Sequence, residues 1–118
     1  MRPYYNDIAG LFSDIKGFYD INEDILDYNN IMIYELEYIE NGKAISLGQN
    51  SYKITINLYY IDNQDHSNKA INILRVLEGY NARAIVNMLT SKMVINADEY
   101  IVSKYQLVFE NWRYSNAN

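Results

Sequence analysis

Few residues in this chain could do chemistry, and none of them is spaced for it. His66 is the single histidine and there is no cysteine. That leaves no His and Cys set for zinc and no thiol nucleophile. His66 precedes an amphipathic stretch, where polar residues cap helices, so a capping or surface role is expected. The acidic run Asp20, Glu23, Asp24 and Asp27 lacks the alternating oxygen ligands, central glycine and terminal glutamate of a calcium loop. A solvated helical face is the simpler reading. Glu35 and Glu37 share one strand face, with Glu40 nearby. Paired carboxylates do acid–base work only in a cleft that separates their pKa values, so a strip facing solvent or a partner is expected instead. There is no phosphate loop, dinucleotide fingerprint or Gly-x-Ser-x-Gly elbow. Catalytic residues, metal ligands and cofactor sites are therefore expected to be absent, and the protein is expected not to be an enzyme.

The elements that would carry these residues are readable from periodicity. A first helix is expected from a cap at Asn6 or Asp7, with Ile8, Leu11, Phe12, Ile15 and Tyr19 on its buried face. Gly10 and Gly17 weaken it, each by about 1 kcal/mol relative to Ala. Residues 20–30 form an acidic connection, in which Ile21, Ile25 and Leu26 suggest a short helical turn. Residues 31–40 alternate as a strand, with Met32, Tyr34, Leu36 and Tyr38 on one face. Asn41-Gly42 is a strong hairpin signal, leading to a short return strand over 44–47. Residues 51–62 are the clearest strand: Tyr52, Ile54, Ile56, Leu58 and Tyr60 alternate with Lys53, Thr55, Asn57, Tyr59 and Ile61. Its second face is polar in the lower half and apolar at Tyr59 and Ile61.

A second helix follows, capped by Asp65 or Ser67. Its stripe is Ala70, Ile71, Ile73, Leu74, Leu77 and Tyr80, and Gly79 fits the position just past its end. Residues 83–89 read equally as strand or helix. Residues 93–95 and 100–111 pair around a turn at 96–99, with Ser103, Tyr105, Leu107 and Phe109 on one face. The expected class is α+β: a mainly antiparallel sheet of about 4–5 strands with two helices packed on it, in the order α-β-β-β-α-β-β. The 118 residues suit a single domain, with residues 1–5 and 114–118 flexible.

Charge narrows the partners. The net charge is -5, and the Lys and Arg residues are scattered, so the basic stripe of a nucleic-acid binder is missing. No apolar stretch approaches the length of a membrane span. Thirteen tyrosines in so small a chain put some at the surface, where Tyr favours protein interfaces.

One family resemblance rests on residues 31–110. The strand Ser-Tyr-Lys-Ile-Thr-Ile-Asn-Leu-Tyr-Tyr-Ile-Asp at 51–62 runs straight into an amphipathic helix at 67–79. A final hairpin ends in Tyr-Gln-Leu-Val-Phe-Glu-Asn-Trp at 105–112. This order, after a short N-terminal helix and a hairpin, resembles the tail-terminator, or tail-completion, proteins of long-tailed bacteriophages. The resemblance implies a virion protein of the tail or neck that forms a hexameric ring. The ring would cap the tail tube, join it to the head-connector protein and let DNA pass through its lumen. An acidic chain suits a pore that must not hold DNA. The surfaces expected to make protein contacts are Glu35, Glu37, Tyr59, Ile61, Trp112 and Arg113, unless Tyr59 and Ile61 are covered by the chain's own ends. A different reading is a small acidic phage inhibitor that presents Glu35, Glu37, Glu40 and the 20–27 carboxylates to a host nucleic-acid-binding protein.

Overall fold

A computed structural model of the chain describes residues 2–41, 52–64, 66–81 and 84–112. Its elements are α1 (Tyr5–Ala9), β1 (Gly17–Asp20), β2 (Ile31–Asn41), β3 (Tyr52–Asp62), α2 (Ser67–Tyr80), β4 (Ile85–Ile95) and β5 (Asp98–Trp112). This is the expected α+β class and the expected order of element types. The strands form one sheet in the order β1-β2-β3-β5-β4. Every pairing is antiparallel except β1 with β2.

Period-two alternation sorts the side chains of the central strands between two faces. On the helical face, Met32 and Tyr34 of β2, Ile54, Ile56, Leu58 and Tyr60 of β3, and Tyr105, Leu107 and Phe109 of β5 form the main core. Ile73 and Leu77 of α2 close it, with Ile8 and Phe12 from the N-terminal segment. That segment is tied down: the Tyr34 hydroxyl donates to the Pro3 carbonyl at 2.6 Å, and the Tyr4 ring stacks on Phe109 at 4.2 Å. In β2 the register shifts between Leu36 and Tyr38. The bulge lets Ile39, opposite Ile54, join the core out of strict alternation.

Three local expectations are overturned. The first helix is short: it starts at Tyr5, so Asn6 and Asp7 lie inside it, and it ends at Ala9 with Gly10 as its cap. Gly17–Asp20 is instead an edge strand parallel to Ile31–Tyr34. Glycine at 10 and 17 weakens a long helix, and β2 offers these residues hydrogen bonds. Ile8 and Phe12 remain in the main core, but Tyr19 packs on the opposite face. Second, residues 21–30 contain no helix. Third, Gly79 lies within α2, which runs on to Tyr80 and is capped by Asn81 in an extended conformation.

The segment left open between strand and helix is strand from Ile85, continuous through Ile95. The final turn is tighter than expected. Ile95 pairs with Asp98, and Asn96 and Ala97 have φ of 51° and 68°. Positive φ at both central residues is what a type I′ hairpin requires, and alanine is strained there. Ala97→Gly is expected to raise stability by about 0.5–1 kcal/mol, seen as a Tm higher by a few degrees. The expected return strand at 44–47 and the Asn41-Gly42 turn fall on or beyond the edge of the described residues.

The molecule is longer than a sphere of its size. Its radius of gyration is 15.6 Å and its extents are 52 × 27 × 23 Å, against roughly 13–14 Å for a compact chain. The 15-residue β5, at about 3.4 Å per residue, accounts for the long axis. No helix among the described residues is long and apolar enough to cross a membrane.

Candidate functional site

His66 departs from its expected role. It occupies the N-cap position of α2 without a side-chain cap. Its ring turns inward, is 6% exposed, and meets the Tyr60 ring edge-on at 4.8 Å. His66 Nε2 lies 3.0 Å from Ser103 Oγ, which lies 3.2 Å from Thr90 Oγ1. A histidine beside a serine hydroxyl is the geometry of an activated nucleophile. Here, however, Ser103 is 0% exposed, so no substrate can reach its oxygen. The pair satisfies two polar groups inside a core, as burial demands.

An open polar depression beside it is lined by Asn30, Tyr60, Asp62, His66 and Lys69. The Tyr60 hydroxyl donates to Asn30 Oδ1 at 2.8 Å. Burial, and then the Asp62 carboxylate, push its pKa up. The Tyr60 hydroxyl also donates to Asp62 Oδ2 at 3.3 Å, His66 is turned to Ser103, and Lys69 pairs outside this group with Asp14 at 2.9 Å.

The acidic run folds its own loop. Asp20 Oδ1 accepts from the Asn22 backbone, Asp27 Oδ1 from the Asn29 backbone, and Lys16 pairs with Asp27. These are Asx-type turns, which use short carboxylates to replace helical bonding. Among the described residues no group of three or more His, Asp or Glu side chains could hold a metal ion.

The glutamate strip is tied into the sheet. Glu35, Asn57, Gln106 and Asn87 stand in one row across four strands. Asn57 Nδ2 and the Tyr59 hydroxyl donate to Glu35 Oε1 at 2.9 and 2.8 Å. Gln106 Nε2 donates to Glu37 Oε2 at 3.1 Å. Thr55 and Asn57 are buried where a solvated face was expected, and the Asn57 amide is satisfied within this row by Glu35 and Gln106. Burial first, and then the hydrogen bond to Glu35, push the Tyr59 hydroxyl up to about 12.

The apolar end of that face is covered from within. Ile61 is 3% exposed and clusters with Ile31, Tyr100 and Val102, beneath Tyr19, Ile25 and Tyr28. Tyr59 packs on the same cluster. Among the described residues, the cover comes from residues 19–28. Trp112 ends β5 opposite Tyr52, and Arg113 lies outside the described residues. Of the expected contact residues, Ile61 is interior, Glu35 stands in the polar row, and Tyr59 and Glu37 are hydrogen-bonded to it.

The open apolar surface lies elsewhere. β4 is the last strand of the sheet, and no other described strand pairs with its outer edge. Ile85, Leu89 and Val94 are 55, 68 and 69% exposed, and Met88 and Met93 are also open. Natural sheets usually blunt such an edge with charge, proline or a bulge. β4 has only Lys92, which faces Glu99 at 3.7 Å. Alternation reveals only the 93–95 end of this strand, because an edge open on both faces shows apolar residues at odd and even positions alike. A scan against protein-family models finds no match for the chain, and neither does a search of curated proteins.

Proposed function

We propose that this protein acts by assembly and that β4 is the surface through which it does so. The supporting observation is an 11-residue sheet edge, apolar on both faces and without the usual protection. An exposed row of backbone donors and acceptors, flanked by large apolar side chains, is the chemistry by which one β domain extends another. The reading that joins this edge to the sequence is a tail-terminator-like virion protein. It would form a ring that caps the tail tube, stops its growth and meets the head connector. The inhibitor alternative draws less support, since the Glu35 carboxylate is already held by Asn57 and Tyr59.

The test uses growing tail tubes from the phage that encodes the chain. Added protein is expected to halt elongation and appear as a ring at tube ends in negative-stain images. Purified particles should contain it at the copy number of a single ring. Tubes that lengthen unchecked, together with particles that lack the chain, would refute the assignment.

A further inference from the structure

We propose that β4 pairs with β4 of a second copy of this chain, antiparallel about a twofold axis at Thr90, joining the two sheets edge to edge. The strand reads Ile-Val-Asn-Met-Leu-Thr-Ser-Lys-Met-Val-Ile. Its middle residue is Thr90, and from either end it begins Ile-Val. Rotation about Thr90 sets Ile85 opposite Ile95 of the second copy and Val86 opposite Val94. Each pair occurs twice, giving four apolar contacts between β-branched residues at the ends of the seam. Cross-strand pairs of this kind are the stabilising unit of a sheet.

The parity of this register is correct. Paired numbers sum to an even value, so residues whose backbone groups point outward meet residues whose groups also point outward. Odd residues also meet odd residues, which keeps each side chain on its own face. Leu89 faces Ser91, and its diagonal neighbours are Leu89 and Met93 of the second copy, so the apolar row continues across the axis. Met88 faces Lys92, whose aliphatic stem can lie on the thioether. The single charge on the strand already has Glu99 as a partner, so two copies meet without an uncompensated charge at the seam.

Two alternatives fit less well. An unrelated extended peptide would satisfy the backbone edge but would have no reason to match a sequence with the same residues at both ends. A head-to-tail contact between β4 and β1 would set 11 residues against four and leave most of the exposed side chains uncovered. The twofold arrangement uses the whole edge and closes on itself. Its outer edges are then the two four-residue β1 strands, short enough to resist further pairing. The pairing concerns the free chain and does not rest on the ring reading. On a tube, the same edge would have to be released from its twin.

The absence of cysteine makes a clean test possible. Opposed Cα atoms in an antiparallel pair are about 4.5 or 5.5 Å apart, within disulfide range. Thr90→Cys is therefore expected to give a covalent dimer under mild oxidation, at least about tenfold faster than Val76→Cys on the exposed face of α2. Because Thr90 also contacts Ser103, a second probe avoids it. Leu89→Cys mixed with Ser91→Cys should give the mixed dimer in preference to either homodimer. Leu89→Lys, at a position too exposed to affect folding, should weaken dimerisation at least about tenfold by placing like charges near the axis. Equal crosslinking at 90 and 76, no preference for the mixed dimer, or a monomer throughout a sedimentation concentration series would overturn the pairing. Crosslinking at Thr90 in a protein that does not cap tubes would leave the pairing standing and remove the ring assignment.

Discussion

Leu58→Ala is expected to lower the unfolding free energy by about 4–5 kcal/mol, in the upper part of the range for such truncations. Leu58 is 0% exposed in the central strand β3. In register, it sits between Tyr34 of β2 and Tyr105 of β5. Both neighbours are fixed at their far ends: the Tyr34 hydroxyl bonds the Pro3 carbonyl, and the Tyr105 hydroxyl bonds the Ala70 carbonyl at 2.7 Å. A ring held by a buried hydrogen bond cannot tilt into a void without breaking that bond. The cavity would thus persist, and the cavity contribution would add in full to the lost transfer free energy. In denaturant titration the midpoint should fall with the slope unchanged. A loss below about 1 kcal/mol would mean that the rings relax, and that the core is not braced as described.

A second large effect is expected in alkali. Burial raises the pKa of Tyr34, Tyr60 and Tyr105, and it is the leading cause for each. Tyr59 and Tyr80 are pushed up to about 12, again by burial first, with Glu35 beside one and Asp7 beside the other. A raised pKa on a group that is neutral when protonated means that the fold favours the neutral form. The stability linked to it is complete below the ordinary value of 10.0 and is lost as pH climbs from there through about 12. Several tyrosines act in the same window, so the domain is expected to unfold cooperatively across it. Tyrosinate absorbance and far-ultraviolet circular dichroism should change together. If all thirteen tyrosines ionise near their ordinary value while the dichroism holds, burial of the hydroxyls is wrong.

Where one face of an element is dry, the sequence was a good guide. Strand β3 and the Ser103–Phe109 part of β5 follow alternation because a slip of one residue would turn an apolar row outward. The stripe Ala70, Ile73 and Leu77 of α2 is legible for the same reason. The misreadings have local causes. Residues 8–19 carry helical spacing, yet glycine at 10 and 17 and the hydrogen-bonding edge of β2 favour a short helix and a strand. The run from Asp20 to Asp27 looked like a charged helical face, but short carboxylates bond the backbone of their own turns. His66 looked like a cap, but burial beside Ser103 is a tertiary contact between residues 37 apart, beyond any local pattern. Ile61 reads as a surface residue because nothing in the sequence says that residues 19–28 fold over it. Of β4, the end at 93–95 is legible through its pairing with the strand at 100–111, whereas the rest is ambiguous because the rule that finds strands assumes that one side is covered.

β3 and β4 have equal length in one sheet, but they place opposite demands on heredity. In β3 nearly every side chain from Ile54 to Ile61 is buried, so most mutations there would be lost with the fold itself. In β4 the side chains stand largely in water, and most replacements would leave the monomer folded. Drift alone would be expected to make such a strand polar. An apolar residue at 85, 89 or 94 is therefore free of the fold's own selection, and it can follow whatever the edge is selected to touch.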